Sequence, residues 1–295
     1  MLLNSSKKNK TSIIKKNNKK NQKHINIIYK KSILKNKTMK NYFDFKGQVA
    51  IVTGCSTGLG VQMAKALASQ GCNIVGIARR EDLLNQVCED IKKEYKVEAL
   101  PMKCDITDTN NIKEVVKKTY DHFKRIDILI NNAGVGDPSP AENTTDEKFE
   151  KEINIDLTGV FKCSREVANI SMIPLKYGRI INISSMYGLV GNKATPCSAY
   201  HAAKGGVVNL TRALAAEWAK YNITVNCICP GYFWTPLTKD VLETDSFKQY
   251  AKNAIPLERY GEVGELDTTT LFLASKASSY VTGVSIPVDG GYTCV

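Results

Sequence analysis

The 295-residue chain has no run of eighteen apolar residues, so no part of it reads as a membrane-spanning helix. It has only three histidines, and none of its nine cysteines stands in a Cys-x-x-Cys pair. No ligand spacing is present, and no zinc or other metal site is expected. The cysteines are odd in number and scattered from Cys55 to Cys294, which fits a reducing compartment better than a disulfide framework. The N-terminus lacks an apolar core segment, which excludes a secretory signal. No Pro/Gly/Ser-rich linker interrupts residues 47–295, and no internal repeat is evident.

Acidic residues are missing altogether from residues 1–38, which hold twelve lysines and no arginine. The formal net charge of +12 suggests a nucleic-acid or membrane partner, but these twelve lysines account for all of it. From Met39 onward, 29 basic residues face 29 acidic ones. The basic excess belongs to the tail alone. Its lysine- and asparagine-rich sequence has no usable periodicity and is expected to be disordered. Three readings of it stay open: an upstream stretch ahead of a true start at Met39, a targeting segment, or an arm that binds polyanions. Residues 39–295 are expected to form one domain, cytoplasmic unless the tail directs it to an organelle.

That domain alternates short β-branched apolar runs with longer helical patterns. "VAIVTG", "NIVGIA", "VEALPMKCD", "IDILINNAG", "GRIINISS", "ITVNCICPG" and "VSIPVDGG" read as strands. Helices are expected over residues 59–71, 80–95, 109–123 and 198–221. This alternation predicts an α/β fold: a single-domain, Rossmann-type, doubly wound parallel sheet with helices on both faces.

Between the first strand and first helix, "VTGCSTGLG" places Gly54, Gly58 and Gly60. Glycines here let backbone amides approach a pyrophosphate, and the helix N-terminus adds partial positive charge. Strand before and helix after is the context that dinucleotide binding requires. At the end of the second strand, where a carboxylate would accept from a ribose 2′-OH, stands Ala78, followed by Arg79 and Arg80. A guanidinium suits a 2′-phosphate, so NADP(H) is favoured over NAD(H). The bland alternative is two arginines opening a solvated helix.

Tyr200 and Lys204 lie four apart, on one face of the expected long helix. A nearby ammonium favours the phenolate, so the pair can give and accept a proton, although such pairs also occur on solvated faces.

The motifs together resemble the short-chain dehydrogenase/reductase family over residues 45–295. "TGCSTGLG" is similar to its cofactor turn, "NNAG" to its central-strand motif and "YHAAK" to its Tyr-x-x-x-Lys. Asn154 in "INIDLTGVF", Pro230–Gly231 and "VDGG" follow in the same order. The resemblance implies that Asn154, Ser185, Tyr200 and Lys204 are catalytic. Tyr200 would transfer the proton, Lys204 lower its pKa and hold the nicotinamide ribose, Ser185 bind the same substrate oxygen, and Asn154 relay through water. Ser184 competes with Ser185, and the Ser185–Tyr200 span is two residues longer than is common in the family, which the resemblance reads as an insertion around Pro196. For the cofactor the resemblance implies Ser56, Thr57 and Leu59 with the three glycines, Asp105 and Ile106, Asn132, Ala133 and Gly134, and Pro230, Gly231, Phe233 and Thr235.

Residues 232–260 occupy the place of the family's substrate lid. Tyr232, Phe233 and Trp234 either line a pocket or pack beneath a flap; Lys239 or Arg259 would meet an acidic substrate, or stand solvated. Two segments, 52–81 and 217–235, look like the sugar-acid branch, the gluconate 5-dehydrogenases and 2-deoxy-gluconate 3-dehydrogenases. A ketone–alcohol interconversion on a substrate such as 5-keto-gluconate is therefore expected, in a homotetramer. The rivals are a 3-oxoacyl-carrier-protein reductase, a reductase of hydrophobic ketones or steroids, and a dinucleotide-binding scaffold with a polyanion-binding tail. An Arg-Asp pair after "NNAG" would mark the first of these, and this chain has "VGDPSPAEN" instead.

Overall fold

Strand β1 (Val49–Thr53) is buried at every position, as an apolar run covered on both faces must be. Helix α1 (Gly58–Ser69) follows, then β2 (Asn73–Ala78), α2 (Glu81–Tyr95), β3 (Ala99–Lys103), α3 (Thr109–Phe123) and β4 (Ile128–Asn131). The computed structural model describes residues 41–193 and 195–295, and the lysine-rich segment 1–38 lies outside them. Residues 43–295 form one unit.

After β4 the chain turns helical from Asp146 to Leu175, a run that the sequence periodicity does not bring out. It comprises α4 (Asp146–Ile153), a wide π turn (Asn154–Thr158), α5 (Gly159–Val167), a second π turn (Ala168–Met172) and α6 (Ile173–Leu175). Each wide turn adds a residue to the helical circuit and re-aims the side chains around it. Then come β5 (Gly178–Ile183), α7 (Ser198–Trp218), β6 (Ile223–Pro230), α8 (Lys239–Leu242), α9 (Asp245–Ala254), α10 (Asp267–Ala274) and β7 (Ser285–Val288).

The strands form one seven-stranded sheet in the order β3-β2-β1-β4-β5-β6-β7, parallel throughout. Alternate residues of β1 point to opposite faces. Ala50 and Val52 join Met63 and Leu67 of α1, Leu84 and Ile91 of α2, and Leu271 of α10. Val49 and Ile51 join Ile112 and Val116 of α3, Val167 of α5 and Leu214 of α7. The strand order reverses between β1 and β4, so a crevice opens beyond their carboxyl ends, where open α/β sheets bind ligands.

At the opposite end, Asp127 pins β1 to β4. Its carboxylate is fully buried and accepts from the Val49 N–H (3.0 Å) and from Arg125 Nε (2.8 Å) and Nη2 (2.6 Å). Removing it leaves the buried Val49 amide unpartnered, at a cost of about 1–3 kcal/mol. Asp127→Ala should lower equilibrium urea stability by about that amount and leave dinucleotide affinity unchanged, since the substitution lies at the far end of the strands.

Candidate active site

The turn after β1 is built around two glycines with left-handed backbone, Gly54 (φ +68°) and Gly58 (φ +62°). Gly60 is needed for a different reason: a Cβ there would stand 2.5 Å from the Gly54 carbonyl oxygen. Helix α1 starts without an acidic residue in its first turn and without a side-chain cap, so its N–H groups stay available to an anion. Thr53 Oγ1 accepts from the backbone N–H groups of Asn132 (2.9 Å) and Ala133 (2.8 Å), which fixes the "NNAG" loop beside the turn. Asn132 Nδ2 donates to the Thr53 carbonyl at 3.0 Å. A nicotinamide dinucleotide fits this cradle, where Gly54 and Gly60 leave no room for a side chain.

From this turn a cleft of about 680 Å³ runs along the carboxyl edge of the sheet to Tyr232 and Leu242. Its walls include Ser56, Thr57, Leu59, Arg79, Arg80, Asp105 and Ile106 at one end, with Gly54 and Gly58. Asn132, Ala133, Gly134, Ser185, Tyr200 and Lys204 follow, then Pro230, Gly231, Phe233 and Thr235. Gly60 stands behind the turn rather than on the wall. At the outer end, the Arg80 guanidinium donates to Thr57 Oγ1 (2.7 Å) and Ser56 Oγ (3.2 Å), so Arg80 rather than Arg79 is tied to the turn. Asp105 is held in its own turn, accepting from the Thr107 N–H (2.9 Å) and hydroxyl (2.8 Å), and the Thr107 amide holds its carboxyl below the usual range.

The two candidate serines have different surroundings. Ser184 Oγ donates to the Lys204 carbonyl at 2.7 Å, binding β5 to α7. Ser185 opens the short helical turn Met186–Gly188 by accepting from the Tyr187 N–H (3.1 Å), and it lines the cleft together with Tyr200. Burial pushes the Tyr200 phenol up; Lys204 and the Ser185 hydroxyl pull against it without reversing the shift. Lys204 is 3% exposed, and its Nζ lies 5.4 Å from the centre of the Tyr200 ring. Nζ donates to the Ile183 carbonyl (3.2 Å) and stands 3.1 Å from Asp156 Oδ2. Burial alone would lower the Lys204 pKa, but Asp156 and Tyr200 outweigh it and the net shift is upward.

Asn154, given a water-relay role by the resemblance, is not among the residues that line the cleft. It begins the wide turn Asn154–Thr158, and the turn brings Asp156, two residues on, to the wall. Asp156 is fully buried, and its Oδ1 accepts from the Val135 N–H at 2.8 Å. Sequence reasoning missed it. The available sign was a carboxylate among apolar neighbours in "INIDLTGVF".

At the substrate end, Tyr232 and Phe233 reach the cleft, whereas Trp234 bonds Glu243 through Nε1 at 2.8 Å. Neither expected cation is in place: Lys239 is exposed outside the lining, and Arg259 is paired in bidentate fashion with Glu265 (2.7 Å twice). Behind the cleft wall, Tyr232 joins a cluster of tyrosine hydroxyls. Tyr232 meets Tyr187 (2.6 Å), and Tyr250 meets Tyr292 (3.2 Å) and Tyr232 (3.5 Å).

A family model described as enoyl-(acyl carrier protein) reductase matches residues 54–293. The 2-dehydro-3-deoxy-D-gluconate 5-dehydrogenase of Dickeya dadantii is 38% identical over 254 residues, spanning 85% of this chain and 98% of its own. The 3-oxoacyl-(acyl-carrier-protein) reductase of Thermotoga maritima is 36% identical over 251 residues, spanning 83% and 98%. Among solved structures, a gluconate 5-dehydrogenase from Burkholderia cenocepacia in complex with NADP and tartrate superposes with a TM-score of 0.82. It is 31% identical, and the match covers 86% of this chain and 98% of that one. With a parallel Rossmann-type sheet, a glycine cradle and these relatives over nearly their whole length, the chain belongs to the short-chain dehydrogenase/reductase family and is an oxidoreductase.

Proposed function

We propose that the protein interconverts a ketone and a secondary alcohol with NADP(H), on a sugar acid of the 5-keto-gluconate class. The observation that carries this reading is the meeting of Ser185, Tyr200 and Lys204 in the same cleft as the glycine cradle. When bound, the nicotinamide supplies or accepts the hydride. The protein's own part is to place and polarise the substrate oxygen. Ser185 donates to that oxygen, and Tyr200 gives it a proton in reduction or takes one in oxidation. Lys204 keeps a positive charge beside the phenol, so the phenolate left after proton donation is stabilised. Gly54, Gly58 and the first turn of α1 would hold the pyrophosphate, with Asn132–Gly134 and Pro230–Thr235 along the nicotinamide end.

Arg80 supports the choice of cofactor. Its guanidinium stands at the hydroxyls of Ser56 and Thr57, with Ala78 where a carboxylate would repel a phosphate. The sugar-acid class is supported by the Dickeya relative. A carrier-protein substrate is the second reading, from the Thermotoga relative. Lid residues Lys239, Lys248 and Lys252 are balanced by Asp240, Glu243 and Asp245, so α8 and α9 offer no basic face to an acidic carrier. A homotetramer is proposed as well, supported by the exposed phenyl rings of Phe149 and Phe161 along α4 and α5.

In a nicotinamide-absorbance assay of the full chain, 5-keto-gluconate with NADPH should turn over; turnover of an acetoacetyl thioester alone would move the protein to the carrier-linked class. Tyr200→Phe should lower kcat by about 10²-fold or more with NADPH affinity retained, and near-normal turnover would remove Tyr200 from the chemistry. Ala78→Asp with Arg80→Leu should shift preference toward NADH, because it exchanges a phosphate-binding cation for a ribose-binding carboxylate; an unchanged NADPH/NADH ratio would sink the assignment. Light scattering at micromolar concentration should give four times the chain mass of 32.6 kDa.

A further inference from the structure

A second cavity, of about 540 Å³, lies at the amino ends of β4, β5 and β6. The six-residue strand β5, about 20 Å long, separates it from the cleft at the carboxyl ends. Three cations line it: Arg125 ahead of β4, Arg179 in β5 and Lys276 just beyond α10. Asp127 is the acid among the lining residues, and it is already used. Its two oxygens take Arg125 in bidentate fashion, and one of them also takes the Val49 amide. Three cations against one acid leave the wall with two positive charges in excess.

Arg179 is the member that structure alone does not explain. It is 3% exposed, and among the described residues neither it nor Lys276 forms an ion pair. Its Nε donates to the Ser275 carbonyl (3.1 Å) and its Nη1 to the Gly178 carbonyl (2.9 Å), while Nη2 makes no hydrogen bond among the described residues. Two carbonyls orient a guanidinium but do not neutralise it, and a buried cation without a counter-charge is costly. Tyr177 does not supply that charge. Its ring centre lies 4.7 Å from the Arg179 guanidinium carbon and 5.8 Å from Lys276 Nζ, and its hydroxyl donates to Gln48 Oε1 at 3.1 Å. Burial pushes the Tyr177 phenol up to about 12, so it stays neutral and serves to gather the two cations. Another open group stands on the same wall: Thr224, near the start of β6, is 5% exposed and its Oγ1 has no partner. A valine of the same shape would avoid the cost of that buried hydroxyl.

We propose that this cavity is a binding site for a small phosphate monoester, separate from the cofactor and substrate cleft. A phosphate monoester carries about 1.5–2 negative charges at pH 7 and three strong acceptor oxygens. That charge matches the excess on the wall, and the oxygens give partners to Arg179 Nη2, Lys276 Nζ and the Thr224 hydroxyl together. A carboxylate brings one charge and two oxygens, and would leave a cation unmatched. Asn222, Ser279 and Thr282 line the remainder of the wall, and their polar side chains suit a hydroxylated body rather than an apolar one.

Calorimetric titration of the full chain in phosphate-free buffer tests the site, with glucose 6-phosphate, inorganic phosphate and glucose as the neutral control. Glucose 6-phosphate should bind, more tightly than inorganic phosphate, and glucose should not. Lys276→Gln, at an exposed position, should weaken binding of the ester about tenfold and Thr224→Val about fivefold. Arg179→Met should abolish it; where that chain does not fold, the other two variants still decide. Arg80→Leu, at the cofactor turn, should leave it unchanged. No binding of the ester by the wild type, or unchanged binding in both Lys276→Gln and Thr224→Val, would overturn the site. Binding lost in Arg80→Leu and kept in Lys276→Gln would overturn it too, by placing the anion in the cofactor cradle. Inorganic phosphate binding as tightly as the ester would overturn the monoester assignment in favour of free phosphate.

Discussion

One buried positive charge sets the geometry of the catalytic end. An ammonium removed from water costs several kcal/mol unless it is paired and hydrogen-bonded. Lys204 meets that condition with groups from two other elements: the carboxylate of Asp156 from the helical run after β4, and the Ile183 carbonyl at the end of β5. Asp156 is in turn held by the loop after β4 through Val135. The carbonyl of Lys204 takes the Ser184 hydroxyl, which ties α7 back to β5. Space around the charge is limited accordingly. A Cβ on Gly134 would stand 3.0 Å from Asp156 Oδ2 and 3.2 Å from Lys204 Nζ, and one on Gly188 would stand 2.5 Å from Ser184 Oγ. The glycines of "NNAG" and of the turn after Ser185 are therefore consequences of placing this lysine, and Tyr200, one helical turn before it, is placed with it.

Much of this was legible from the chain. The buried strands announced themselves because a strand covered on both faces has to be apolar throughout, and the glycine turn was recognisable because strand, glycines and helix fell in order. The helical run from Asp146 to Leu175 was not legible, because two wide turns interrupt the 3.6-residue period that would have revealed it. The same interruption decides which residue of "INIDLTGVF" reaches the cleft. Residue identity in "INIDLTGVF" pointed to Asn154, but which residue faces the cleft depends on how many residues the turn contains, and the added one brings Asp156 there. Arg79 and Arg80 posed a similar problem at smaller scale: adjacent residues point in different directions, and only coordinates distinguish them.

The substrate end was legible only as a list of aromatic residues. Tyr187, Tyr232, Tyr250 and Tyr292 come from four separate segments, and their hydroxyl contacts exist only after β5, β6, the lid and the C-terminus have been brought together. Edge-on ring packing fixes them further, with Tyr232 perpendicular to Tyr187 at 6.4 Å and to Tyr250 at 5.9 Å. Part-buried phenols need partners for their hydroxyls, and here they largely supply them to one another.

The two ends of the cleft treat charge in opposite ways. At the outer end Arg80 is spread over two neutral hydroxyls, and Ala78 offers it no carboxylate, so its field is open to a phosphate. At the inner end the cation is already matched by Asp156, and the groups offered to a substrate are the hydroxyls of Ser185, Tyr200 and Tyr232. A substrate oxygen entering there meets donors rather than a bare cation. On the proposed reading, negative charge that builds on it during reduction would be removed by proton transfer from Tyr200, with the lysine making the phenol readier to give the proton up. Burial raises the Tyr200 pKa and so favours the protonated phenol before reaction, which suits a donor; Lys204 and Ser185 limit that rise and so stabilise the phenolate that remains after it. Opposed effects on one hydroxyl fit the proposed role of Tyr200 in either direction of the reaction.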